Sequence, residues 1–227
     1  MNHRIKTINQ IKGLANYIFR KRGFLATSPL EAYAFFNLQD FAATADFQFH
    51  FSPIWISSDY GYDAYDLSSF PLTDGYTILP SLIKPRSRGH VSLVSSDPLD
   101  PPKIQPNFLS NESDLEDLIR GGKIALEVLQ HKAFSKHHDF IAAPLRHQTD
   151  GDLKDHILKT VETIYHPVGT CKMGVDENAV VDPDLMVIGV DGLRIADASV
   201  MPTITSGNTN APVIMIAEKA AAMILNK

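Results

Sequence analysis

Between residues 4 and 20, apolar side chains recur every three or four positions: Ile5, Ile8, Ile11, Leu14 and Ile18. A single apolar stripe at that spacing predicts an amphipathic helix. Residues 21–23 end it, with basic side chains in the last turn and Gly23 as a C-cap. The apolar run Ala32–Phe36, with Leu25, offers that helix a surface to pack on. At residues 46–53, "DFQFHFSP", the period changes from helical to two. Phe47, Phe49 and Phe51 then lie on one face of a strand, with Gln48 and His50 on the other. Residues 57–74 are rich in Ser, Asp, Tyr and Gly and read as an irregular excursion. Two further strands are expected at 75–84 and 89–96, joined by the turn "PRSRG". Four prolines in residues 97–107 argue against regular structure there.

Helical spacing returns at 114–130, where Leu115, Leu118, Ile119, Ala125, Leu126 and Leu129 share a face and Ser113 or Asp114 can cap. Residues 131–151 hold His131, His137, His138 and His147 in a polar loop or broken helix, and 153–164 reads as a short helix. Near the C-terminus a short apolar strand is expected at 192–196. The strongest helix of the chain is expected at 210–225, with Asn210 as N-cap and Pro212 in its first turn. A loop of small residues, 205–209, leads straight into it.

Composition narrows the function classes. The chain has 227 residues, 44% of them hydrophobic, enough for one large or two small cored domains and too apolar for a disordered chain. Twenty-one basic against 26 acidic residues give a formal charge of −5, which argues against a nucleic-acid binder. One cysteine excludes an internal disulfide, and no apolar run is long enough to span a bilayer. The charge is uneven. Residues 1–30 carry Arg4, Lys6, Lys12, Arg20, Lys21 and Arg22, and the first acid is Glu31. Such a stretch fits a transit peptide or a membrane-surface helix; it fits equally a helix packed on its own domain, the reading favoured here, with a cytoplasmic address.

Several groups could carry chemistry. The helix beginning at Asn210 presents unpaired N–H groups and partial positive charge, and "TSGNTN" before it lets a flat ligand approach the backbone. His166 precedes a proline, which holds it in extended backbone, and a neutral imidazole is the usual general base. Cys171 is either a nucleophile or a small buried apolar residue. His137 and His138 are adjacent and do not share a helix face, and no HExxH, CxxC or GxSxG occurs, so no metal site is expected. Asp182 and Asp184 flank Pro183 and look like turn formers. The chain contains neither GxGxxG nor a P-loop.

Taken in order, "RGFLATSPLEAYAFF", "DFQFHFSP", "KPRSRGHVSLVSSDP", "PPKIQPNFLS", "YHPVGTCKMG" and "DGLRIADASVMPTITSGNTNAPVIMIAEKAA" cover nearly the whole chain. Together they resemble the C-terminal part of the glucose–methanol–choline (GMC) oxidoreductases, most of all the choline-dehydrogenase- and alcohol-dehydrogenase-like branch. The resemblance implies an FAD enzyme that oxidises a small-molecule alcohol. It implies an α+β fold: an antiparallel-sheet substrate domain with helices, plus the C-terminal strand and helix of an incomplete Rossmann-type FAD domain. Residues 1–156 map onto the substrate domain and 157–227 onto the return into the FAD domain. The catalytic histidine of the family falls on His166 and the second catalytic position on Asn208. Asp197, Ala198, Asn210, Ala211 and Pro212 fall on positions along the FAD. His50 matches a strand position facing substrate, and Glu31 one that can hold a substrate cation.

The glycine-rich half of the family is missing from this sequence, which begins at Met1 in what should be the middle of that fold. The expectation is therefore a chain inactive alone, completed by an N-terminal FAD-binding half as a separate polypeptide or missing segment. A non-catalytic fragment or binding module of the same fold is the other reading.

Overall fold

The computed structural model describes residues 7–28, 30–40, 43–56, 70–137, 139–141 and 149–225. The expectations at His138, His147 and residues 57–69 lie outside them. By spatial proximity the chain divides into two units. The first comprises Met1–Ala43, Phe47–Leu82 and Leu115–Val161; the second comprises Thr44–Asp46, Ile83–Asp114 and Glu162–Lys227. A single cut after residue 156 differs from this division, which places Ile83–Asp114 with the C-terminal stretch.

The first unit is organised by one strand. β2 (Phe47–Ser52) lies between β1 (Ala32–Phe36) and β3 (Thr77–Leu82) in an antiparallel sheet. The register sets Phe49 opposite Ala34 and Pro80, and His50 opposite Tyr33 and Leu79. The period-two pattern sorts the side chains as expected, and both faces of β2 are covered: Phe47, Phe49, Gln48, His50 and Ser52 are all buried. On the aromatic face Phe49 meets Phe36 edge-on at 4.9 Å and Phe47 at 5.9 Å. Leu118, Ile124 and Ala125 of α2 (Glu112–Gln130) pack onto this cluster. Burying each phenylalanine contributes about 1.5–3 kcal/mol. Beyond the sheet, Leu126 of α2 packs with Leu153 of α3 (Asp150–Thr160).

Helix starts depart from expectation for identifiable reasons. α3 begins before residue 153 because Thr149 and Asp152 form a reciprocal capping box, with Asp152 N–H to Thr149 Oγ1 at 3.2 Å and Thr149 N–H to Asp152 Oδ2 at 3.1 Å. α2 is capped by Asn111, whose Oδ1 accepts Ser113 N–H at 3.1 Å. That leaves Asp114 for another task. Its buried carboxylate accepts the amides of Arg86 and Ser87, each at 2.8 Å, and the Ser87 hydroxyl at 2.5 Å. The "PRSRG" turn is thus tied to the start of α2 and does not close a hairpin. β4 (His90–Ser92) pairs instead with β5 (Lys103–Gln105). β5 falls inside the proline-rich stretch expected to be irregular, fitting the three residues between Pro102 and Pro106.

α1 (Thr7–Arg20) is the expected helix, and Lys21 rather than Gly23 makes its left-handed stop, with φ +51° and its N–H on Tyr17 O at 2.9 Å. Its apolar stripe is not packed as expected: Ile11 is 65% exposed and Ile18 54%. Ala32–Phe36 is committed to the sheet as β1, so it does not serve as the helix's bed.

In the second unit, Val181, Leu185, Val200, Met201, Ile216 and Ala220 form the core. Ile216 and Ala220 lie one turn apart on α4 (Asn210–Leu225), which has the expected bounds. The strand expected at 192–196 is reduced to a single bridge between Met186 and Arg194. Gly189 and Gly192, at φ +82° and +75°, curl the chain between them too tightly for a longer ladder. Among the described residues no helix is long and apolar enough to cross a membrane.

Gly121 of α2 sits against the Phe47 ring, where a Cβ would overlap ring carbons. Gly121→Ala gains helix propensity of about 1 kcal/mol, but overpacking of this kind costs about 1–3 kcal/mol. Urea unfolding should show the variant destabilised or neutral, and never stabilised by the full propensity gain.

Candidate active site

The loop carrying His166 begins where α3 stops. Val161 is extended at ψ 129°, and the Thr163 hydroxyl oxygen then accepts Tyr165 N–H at 2.9 Å. Tyr165 is left-handed at φ +64°. That conformation costs an L-residue roughly 1–2 kcal/mol. His166 follows outside any regular element, and Pro167 after it disfavours helical backbone there. Gly169 turns the chain again at φ +88°, and a Cβ there would sit 3.4 Å from Met201 O. Beyond it, Cys171 N–H bonds Ser199 O at 3.0 Å and Met173 N–H bonds Val200 O at 2.8 Å. The His166 loop is thereby laid along a short 3-10 turn, Ala198–Val200. Asp197 caps that turn, its carboxylate accepting Ser199 N–H at 2.8 Å. Cys171 is half-buried in this backbone pairing.

His166 is half-buried, and that burial lowers its pKa below the ordinary 6.5. The imidazole is therefore neutral near pH 7, the state a proton acceptor needs.

The same unit holds Asn208, exposed in the loop before α4, and Thr209, which is buried. The first helical bond, Val213 N–H to Thr209 O at 3.0 Å, makes Thr209 the capping residue and moves Asn210 into the first turn. Asn210 and Ala211 are exposed there, and Pro212 is half-buried with no N–H to offer. The helix therefore turns open amides and partial positive charge toward whatever lies at its start. These residues suit the ring end of FAD, a flat group that gains negative charge on reduction: exposed small side chains, a carboxamide and a helix N-terminus. They do not suit its pyrophosphate, for which the chain has no glycine-rich loop.

Glu31 and His50 belong to the first unit. Alternation through the β1–β2 register puts Tyr33 and Phe35 on one sheet face with Gln48, His50 and Ser52, and Glu31, immediately before β1, continues that face. Glu31 is exposed and His50 buried. Tyr33 and Phe35 meet edge-on at 5.7 Å beside them. The pair was legible only once β1 was known to be a strand, because the run Ala32–Phe36 has no alternation of polarity. The roles of Thr163 and Tyr165 had no sequence signal, since a left-handed tyrosine is indistinguishable from any other. Among the described residues, no three His, Cys, Asp or Glu side chains cluster to hold a metal ion.

Residues 85–217 match the family described as GMC oxidoreductase. The chain is 40% identical over 217 residues to an alcohol dehydrogenase (acceptor) of Pseudomonas putida, covering 95% of this chain and 38% of that protein. It is also 40% identical over 216 residues to an oxygen-dependent choline dehydrogenase of Rhizobium meliloti (strain 1021), covering 94% and 38%. The chain thus spans 38% of the length of these curated relatives. Among solved structures it is similar to pyridoxine 4-oxidase from Mesorbium loti, at TM-score 0.76 and 26% identity, over 88% of this chain and 38% of that one. A formate oxidase of Aspergillus oryzae RIB40 shares the fold at TM-score 0.82 and 23% identity, over 95% and 41%.

His166 and His156 should both titrate below 6.5 in the folded chain, His156 through burial and then the nearby Lys159 charge. Each histidine takes up its proton more readily unfolded than folded. Their contribution to stability is therefore complete above about pH 6.5 and is lost progressively as pH falls from there through their lower folded-state values. NMR titration of the ring carbons checks the order; a His166 midpoint at or above 6.5 contradicts it.

Proposed function

The chain belongs to the GMC oxidoreductase family, and from that premise we propose that it is the part of an FAD-dependent alcohol oxidoreductase that bears the catalytic side chains. The observation that carries this reading is a half-buried, neutral His166 on a loop bonded to the turn at Ala198–Val200, in the same unit as Asn208 and the start of α4.

Bound FAD supplies the acceptor for the hydride leaving the substrate carbon. This chain's residues do the rest. His166 takes the hydroxyl proton on a ring nitrogen. The Asn208 carboxamide donates a hydrogen bond to the substrate oxygen, fixing its direction and stabilising developing alkoxide charge. Asp197 and Ala198, on their turn, and Asn210, Ala211 and Pro212, in the first turn of α4, would line the cofactor. The α4 dipole favours the negative charge gained on reduction. Glu31 and His50 contact the substrate, and the carboxylate of Glu31 suits an alcohol that carries a cation.

In functional terms residues 1–156 serve the substrate and 157–227 the cofactor. The remaining partner is an amino-terminal FAD-binding half, in keeping with the 38% of the relatives' length that this chain spans. Exposed Ile214, Met215, Ile224 and Leu225 on α4 give such a half apolar surface to cover. The cytoplasmic address belongs to this reading and accords with a chain of one cysteine.

Reconstitution tests it. The chain mixed with a glycine-rich amino-terminal half should turn yellow and bleach on addition of an alcohol, while the chain alone stays colourless. In that reconstituted enzyme His166→Ala should lower turnover about 10²–10⁴-fold, and Asn208→Ala should lower it with the pH profile unchanged. Near-normal turnover in His166→Ala refutes the assignment. A colourless monomer indifferent to the other half supports a binding module instead.

A further inference from the structure

Tyr165 is a left-handed residue immediately before His166, at φ +64°. Glycine is the ordinary occupant of such a backbone, and a bulky residue there is an outlier. The residue as a whole is 59% exposed, so burial does not account for the conformation. What meets the Tyr165 amide is the hydroxyl oxygen of Thr163, at 2.9 Å. Downstream the loop is pinned by Gly169 at φ +88° and by Cys171 N–H on Ser199 O at 3.0 Å. The span from 163 to 171 is thus held at both ends. Rotating Tyr165 φ to its ordinary negative range would swing the His166 Cα–Cβ bond, and Pro167 removes the helical alternative that could compensate.

We propose that Thr163 and the left-handed backbone of Tyr165 are positioning residues that aim the His166 imidazole. Thr163 holds the Tyr165 amide, Tyr165 reverses the chain, and the ring direction of His166 follows from that backbone. The catalytic consequence rests on the proposed function of His166, but the geometric claim does not.

The chain itself allows the test. NMR of the chain should show the strong intraresidue amide–Hα cross-peak of a positive φ at Tyr165; its absence overturns the proposal. Tyr165→Gly, which keeps the conformation, and Thr163→Ser, which keeps the acceptor, should leave the His166 ring signals and titration midpoint in place. Tyr165→Val and Thr163→Val should shift both, the midpoint moving up toward 6.5. Folded valine variants with unmoved His166 signals overturn the proposal. If a valine variant loses its cooperative melt, Thr163→Ala decides by the same readout: a shift supports the proposal and no shift overturns it. In the flavin-loaded, reconstituted enzyme Thr163→Val should lower kcat roughly ten- to hundredfold with KM within about twofold, and Thr163→Ser should restore it. If His166→Ala is inactive while Thr163→Val is not, only this inference fails. If His166→Ala is fully active, the functional reading of His166 fails while the NMR result stands.

Discussion

Two backbone hydrogen bonds hold the candidate site of the second unit together: Cys171 N–H to Ser199 O and Met173 N–H to Val200 O. Without them the His166 loop and the turn capped by Asp197 would be two unrelated excursions. With them, the segment after α3 runs alongside the segment leading into α4, and Val181, Val200 and Ile216 close a core beneath. Backbone pairing suits this task because it specifies register without using side chains, which stay available to face a ligand. The small residues Gly169 and Ala198 follow from the same requirement for close approach.

The first unit solves a different problem. A strand with both faces buried must satisfy or exclude polar groups on each. β2 sorts them by alternation, giving the phenylalanines to α2 and keeping Gln48, His50 and Ser52 on the other face. Buried polar side chains in a row cost stability relative to apolar ones unless they are hydrogen-bonded, so this face depends on polar partners where the opposite face depends on packing. Asp114 shows the complementary case. It is a buried carboxylate spent on structure, with three donors from one turn around it.

Much of this was legible in the chain's pattern. β2 came from the spacing of Phe47, Phe49 and Phe51, and α4 from Asn210, Pro212 in the first turn and the broad Ala/Ile/Met face that follows. Family resemblance, where GMC membership was shown, came from motifs in order. What escaped was set by distant contacts. Whether 89–96 pairs with the preceding strand or with 103–105 depends on Asp114 pinning the intervening turn, a contact 27 residues away in sequence from Ser87. The strand at 192–196 shrank because glycines on either side of the bend chose the turn over the ladder. β1 lacked a polar alternation, and α1 was assigned a bed that the sheet had already taken. Asn210 was expected as the cap of α4, but that role went to its neighbour Thr209, and the cap that Asp197 provides for the turn at Ala198–Val200 had not been expected.

Neither unit is one continuous stretch of chain; each is assembled from pieces separated by the other. During vectorial synthesis the β2–β3 hairpin emerges long before α2 arrives to cover its phenylalanines. Ile83–Asp114 likewise waits for the final third of the polypeptide. The nascent chain must therefore keep sticky, half-built surfaces solvated while it lengthens, the condition under which holdase chaperones matter most.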